Sequence, residues 1–138
     1  MADLIDLYEY AAEKGIGVYW YTMEMAESLS YMDDDGDCYI AMDPWFMGTL
    51  PEETVKLGHE LGHCETGSFY NRWAACDVRQ KHENHANRWA YKKLVPEDEL
   101  MRAVAQGCRE PWELADHFGV TEPFLRDAVA YYRMQAGA

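Results

Sequence analysis

The chain has 138 residues, 49% of them hydrophobic and 14% aromatic, and carries a formal net charge of -13. That much apolar matter excludes a disordered chain and suffices for one domain with a real core. A surface this acidic repels phosphate backbones, so direct nucleic-acid binding is not expected and a basic protein is the natural partner.

No apolar run approaches the roughly 18 residues of a membrane span, so no membrane association is expected. The opening MADLIDLYEYAAEK lacks the basic start and continuous apolar core of a signal peptide. Cys38, Cys64, Cys76 and Cys108 are irregularly spaced with no C-x-x-C pair, and read as reduced thiols of a cytoplasmic protein.

In chain order, Leu4, Ile5, Tyr8, Ala11 and Ala12 recur at helical spacing and Gly15 and Gly17 stop that helix. Val18 to Met23 is β-branched and aromatic and predicts a strand. SLSYM and CYIAM flank DDDGD, Asp33 to Asp37, which predicts a hairpin. DDDGD lacks the closing glutamate of a calcium loop and reads as a solvated turn. A helix is expected over Pro51–Cys64, with Thr49 as cap and Glu52 and Glu53 at its positive end, and Gly67, Ser68 and Asn71 in the loop behind it. Further helices are expected over Val78–Leu94, over PEDELMRAVAQG, and as a pair broken near Gly119. With no linker or repeat, the pattern predicts one α+β domain over residues 1–138, with a small antiparallel sheet and a mostly helical C-terminal half.

The chemistry sits in HELGH. His59 and His63 are four residues apart, one helical turn, so both imidazoles can reach one zinc ion. Glu60 lies on the flank of that face, where its carboxylate can accept a proton from a water held at the metal. Gly62 inside a helix signals close approach by another segment. A third ligand must come from elsewhere, and QKHENHANRWAYKKLVP offers His82, Glu83 and His85. As a helix, Glu83 shares a face with Ala86, Asn87 and Ala90, whose small side chains permit close packing, and Asn87 can then buttress a ligand. His82 shares a different face with His85 and bulky Trp89. This favours Glu83 and leaves His82, His85 and Asp77 open. Cys64 points some 100° from His63 and reads as core.

Three lesser readings follow. WELADHFGV, a turn and TEPFLRDAV have the look of a helix-turn-helix, but Leu114, Phe118, Phe124, Leu125 and Val129 suit packing better, and His117 there has no partner at ligand spacing. Tyr70 and Tyr91 are candidate donors to an oxyanion. Cys38–Met42, if an open sheet edge, can bind an extended substrate as an added strand.

TVKLGHELGHCETGSFYN followed by HENHANRWAYKKLVPEDEL resembles the ImmA/IrrE family of metallopeptidases, which pair HELGH with a glutamate preceding an Ala-Asn-x-aromatic-Ala helix that ends in leucine and proline. Here those residues are Glu83, Ala86, Asn87, Trp89, Ala90, Leu94 and Pro96. ELADHFGVTEPFLRDAV is similar to the family's downstream segment. The resemblance implies a zincin-like fold, Zn2+ held by His59, His63 and Glu83, Glu60 as general base, and cleavage of a protein target, typically a DNA-binding repressor of a phage or mobile element. His85 departs from the family pattern, as does the lack of a fused DNA-binding domain in these residues. Some family members act as regulators without evident peptidase activity, so the alternative is a metal-stabilised domain that binds a repressor or toxin partner without cutting it.

Overall fold

A computed structural model of the chain describes residues 3–24, 26–70 and 74–137. Asn71, assigned above to the loop behind the histidine helix, lies outside them.

Helix α1 (Leu4–Glu13) starts with a reciprocal cap. The Asp3 carboxylate accepts the Asp6 N–H at 2.9 Å, and Asp6 accepts that of Asp3 at 3.1 Å. Three strands follow: β1 (Gly17–Trp20), β2 (Ser28–Met32) and β3 (Cys38–Met42). β2 and β3 form the expected antiparallel hairpin, and Asp33 closes its turn by accepting the N–H groups of Asp35 and Asp37.

β1 departs from expectation. It pairs parallel to β3, giving a mixed sheet in the order β1-β3-β2 rather than an antiparallel one. The strand predicted to reach Met23 ends at Trp20, because the Met23 N–H turns out of the sheet to the buried Asp43 carboxylate, 3.0 Å away. The chain then crosses to the far side of β3. β3 is therefore paired on both sides, which overturns its reading as an open edge for substrate; the open edge beside the histidine helix is β2.

Helix α2 (Leu50–Thr66) carries HELGH. Thr49 caps it by accepting the Glu52 N–H, Pro51 sits in the first turn, and Gly67 ends it in the left-handed conformation with φ 64°. α1 is fastened to it by two tyrosines: Tyr8 donates to Glu53 at 2.7 Å and Tyr10 to Glu65 at 2.5 Å. Helix α3 (Cys76–Leu94) crosses α2 at Gly62, where an added Cβ would lie 2.4 Å from the Ala86 carbonyl oxygen. The glycine thus serves a tight helix crossing.

Helices α4 (Glu97–Ala105), α5 (Pro111–Phe118) and α6 (Glu122–Ala136) complete the chain. Leu114, Phe118, Phe124 and Leu125 are buried, so the helix-turn-helix look of α5 and α6 reflects packing. Tyr132 ties α6 to the end of α3 by donating to the Val95 carbonyl at 2.7 Å. The core runs from Leu7 and Ile40 through Leu57, Leu61 and Leu94 to Phe118 and Leu125. No described helix is long and apolar enough to cross a membrane.

One expectation about the cysteines fails. Cys38 and Cys64 are joined in a disulfide, with Cα atoms 6.0 Å apart, while Cys76 and Cys108 are free. Cys38 points from β3 towards the helices, and the side of α2 turned away from His63 delivers Cys64 to it. The core position read for Cys64 is in fact one end of a cross-link between sheet and helix.

Candidate metal centre

The crossing of α2 and α3 at Gly62 and Ala86 decides which residue of α3 meets the histidines. Glu83 lies one turn before Ala86 and His59 one turn before Gly62. Across the crossing, Glu83 Oε2 lies 2.8 Å from His59 Nε2 and Glu83 Oε1 lies 3.2 Å from His63 Nε2. The two Nε2 atoms are 3.2 Å apart. Among the described residues His59, His63 and Glu83 form the group of three that could hold a metal ion, with ligand atoms within 4.8 Å of one another.

Each ring is held from behind. His59 Nδ1 meets Asn87 Oδ1 at 2.8 Å and His63 Nδ1 meets the Ser68 carbonyl at 2.5 Å. Both partners are acceptors, so each Nδ1 carries a proton and each Nε2 faces the centre, where a bound metal would take the place of the proton that Nε2 shares with Glu83. Bonds of about 2.0–2.1 Å in a tetrahedron would set neighbouring ligand atoms about 3.3 Å apart. The observed separations of 2.8–3.2 Å come within about half an ångström of that spacing, so the donor set fits zinc.

Electrostatics follow the geometry. Hydrogen bonds from His59, then His63, hold the Glu83 carboxyl far below its usual range, although burial opposes this. For His59, burial disfavours the charged ring, but the carboxylates of Glu83 and Glu60 outweigh it and raise its pKa.

Glu60 is buried, and Ser28 Oγ of β2 donates to its Oε2 at 2.7 Å. Glu60 and the three clustered residues line a cleft of about 570 Å3, whose opposite wall is β2 from Ser28 to Ser30 with Tyr70 nearby. Lys56 and Glu27 form an ion pair on its lining. The Tyr70 hydroxyl donates to Glu83 Oε1 at 2.7 Å; burial first, then Glu83, pushes its pKa up to about 12.

The remaining sequence candidates lie elsewhere. His82 stacks on Tyr70, with ring centroids 6.1 Å apart, and its Nδ1 is buried with no hydrogen-bond partner among the described residues. His85 Nδ1 lies 3.3 Å from Arg88. Asp77 is exposed at the start of α3, where it accepts the Val78 N–H. Tyr91 packs against Phe124 and Tyr131, and His117 against Phe118. Sequence reasoning passed over Ser28 and Ser68. Ser68 acts through its carbonyl, which no side-chain pattern reveals; Ser28 alternates inward on β2 with Ser30, a signal that was legible.

Comparison with family models, curated proteins and solved structures finds no match for this chain.

Proposed function

We propose that this chain is a zinc-dependent metallo-endopeptidase of zincin-like architecture. The observation that carries the reading is the convergence of two Nε2 atoms and the Glu83 carboxylate, each imidazole locked from behind, with the Glu60 carboxylate beside them. His59, His63 and Glu83 would hold the ion, which when bound supplies a water of lowered pKa and polarises a carbonyl.

The chain's own groups do the rest. Glu60 takes the water's proton and returns it to the leaving amine, and Ser28 holds the carboxylate in place for both transfers. Tyr70, a neutral donor at ordinary pH, faces the side where the carbonyl oxygen becomes negative. The open edge of β2 offers backbone groups to an extended segment entering the cleft. The ImmA/IrrE resemblance of the motif stretches supports a basic DNA-binding repressor as target, and the net charge of -13 suits such a partner.

The test is the zinc content of wild type beside Glu83→Ala and His82→Ala. One zinc per chain, lost with Glu83 and kept without His82, is expected; loss with His82 overturns the ligand set. On any protein the wild type cuts, Glu60→Gln should keep zinc and lose at least about a hundredfold in rate, and equal cutting would refute the mechanism. If Glu60→Gln still silences the partner while the ligand variants do not, the chain is the non-cutting regulator instead.

A further inference from the structure

The outer face of the sheet is unused by the fold. Residues opposite one another on paired strands share a face, so the pairs Tyr31–Tyr39, Leu29–Ala41 and Tyr19–Ala41 lie together, turned away from the buried side chains of Cys38, Ile40 and Met42. Tyr19, Tyr31 and Tyr39 are 53, 58 and 37% exposed. Tyr19 lies down on the sheet, its ring 6.2 Å from that of Tyr39, because Gly17 beneath it has no side chain; a Cβ there would sit 2.7 Å from the ring.

This face runs directly into negative charge. Asp33, Asp34, Asp35 and Asp37 occupy the turn at its end, and the Tyr39 hydroxyl donates to Asp33 Oδ2 at 3.3 Å. The charge of Asp33, followed by desolvation and Asp37, raises the Tyr39 pKa. Between Lys14 and Lys56 the sequence holds nine carboxylates and no lysine, arginine or histidine. Among the described residues Lys56 pairs with Glu27, and no ion pair is formed by the four aspartates of the turn.

The face also communicates with the cleft. β2 begins at Ser28, bonded to Glu60, and ends at the aspartate turn. At about 3.3 Å per residue it covers about 16 Å from Ser28 to Asp33. A peptide laid along the open edge of β2 would bring a residue about five positions from the cleft to Tyr31 and the turn.

We infer that Tyr31, Tyr39 and the 33–37 turn dock an arginine- or lysine-rich segment of the protein target, cations seated on the tyrosine rings and among the aspartates, while the same chain runs along β2 into the cleft. An apolar or anionic segment would leave the carboxylates of Asp34, Asp35 and Asp37 unanswered; a cationic one satisfies both the rings and the turn. The path into the cleft rests on the metallopeptidase reading, whereas binding at the face does not require metal.

The experiment is fluorescence anisotropy with a fluorescein-labelled peptide that has a run of arginines at one end and uncharged residues at the other. It is titrated into Glu60→Gln protein, with and without zinc, so that nothing is cut. On that background Asp34→Asn with Asp35→Asn should weaken binding about tenfold, since each exposed charge pair contributes up to about fivefold. Tyr31→Thr should weaken it about threefold, the scale of an exposed cation–π contact. Glu9→Gln with Glu13→Gln, an equal charge change on exposed positions of α1, should change it less than about twofold. Equal loss in the α1 control, or no binding by the parent protein, overturns the inference. Binding that is intact without zinc in a protein that takes up no metal would sink the peptidase reading and leave the docking face standing.

Discussion

Two helices of this protein each carry a pair of histidines, and only one pair belongs to the centre. His59 and His63 on α2 each have an acceptor behind Nδ1 and an Nε2 facing the same point. His82 and His85 on α3 do not: His82 Nδ1 has no partner among the described residues, and His85 faces the guanidinium of Arg88. The pairs differ in spacing, four residues against three, but spacing alone does not separate them, since both leave neighbours on a helix surface. What separates them is the crossing at Gly62 and Ala86, which turns Glu83 inward and sends His82 to stack on Tyr70. A ligand site is made as much by the group behind each ring as by the ring itself.

The comparison breaks most severely if the crossing is forced open. Gly62→Ala places a methyl against the Ala86 carbonyl, and should cost about 1–3 kcal/mol by overpacking, even though alanine is the better helix former by about 1 kcal/mol. Denaturant midpoints and zinc content should fall together; a variant as stable as wild type that binds zinc equally well would show that the crossing does not set the site. A smaller effect is expected behind the ring. Asn87→Ala should weaken zinc affinity about 10–100-fold, whereas Arg88→Ala, which removes the neighbour of His85, should leave it unchanged in a competition titration with a chelator.

Acid should reveal the same asymmetry in chelator-treated protein. The folded pKa of Glu83 is depressed from the ordinary value of 4.5, so the stability it contributes is present above that value and lost as pH falls through the folded one. Urea midpoints of metal-free wild type should therefore drop below about pH 4.5 more steeply than those of Glu83→Gln; identical slopes would mean that the carboxylate is not held by the histidines. The smallest effect belongs to His82. Replacing it with phenylalanine keeps a ring on Tyr70 and removes a buried unpaired nitrogen, so stability should move by less than about 1 kcal/mol and zinc content should not change.

Much of this centre was legible before any coordinates. Four-residue spacing fixes the relation of His59 and His63, and the small residues Ala86 and Ala90 mark the face of α3 that approaches α2, from which Glu83 and Asn87 follow. The helix starts and stops could be read from Thr49, Pro51, Gly67 and Pro96, because capping is local chemistry. What escaped was non-local. The parallel pairing of β1 with β3 depends on a crossing between Trp20 and Ser28 whose sequence has no turn signature, and without it β3 passes for an edge. The disulfide joins positions 26 residues apart, and four cysteines permit several pairings with nothing in their spacing to choose among them.

The Cys38–Cys64 link has a consequence for how the proposed metal would be gained and lost. It binds the turn of α2 that carries His63 to the central strand of the sheet, and the loop it closes contains both β3 and all but the last two residues of the histidine helix. In the chain-entropy picture a loop of that length removes about 3.5 kcal/mol of freedom from the unfolded chain. If the centre holds an ion as proposed, stripping it would leave the helix end tethered, and rebinding would require little reordering. Hydrogen exchange at residues 57–64 should stay slow after chelation and quicken only when the disulfide is also reduced. The oxidised protein would thus exchange its metal as a preformed receptor, with the cost of organising the site already met when the two sulfurs joined.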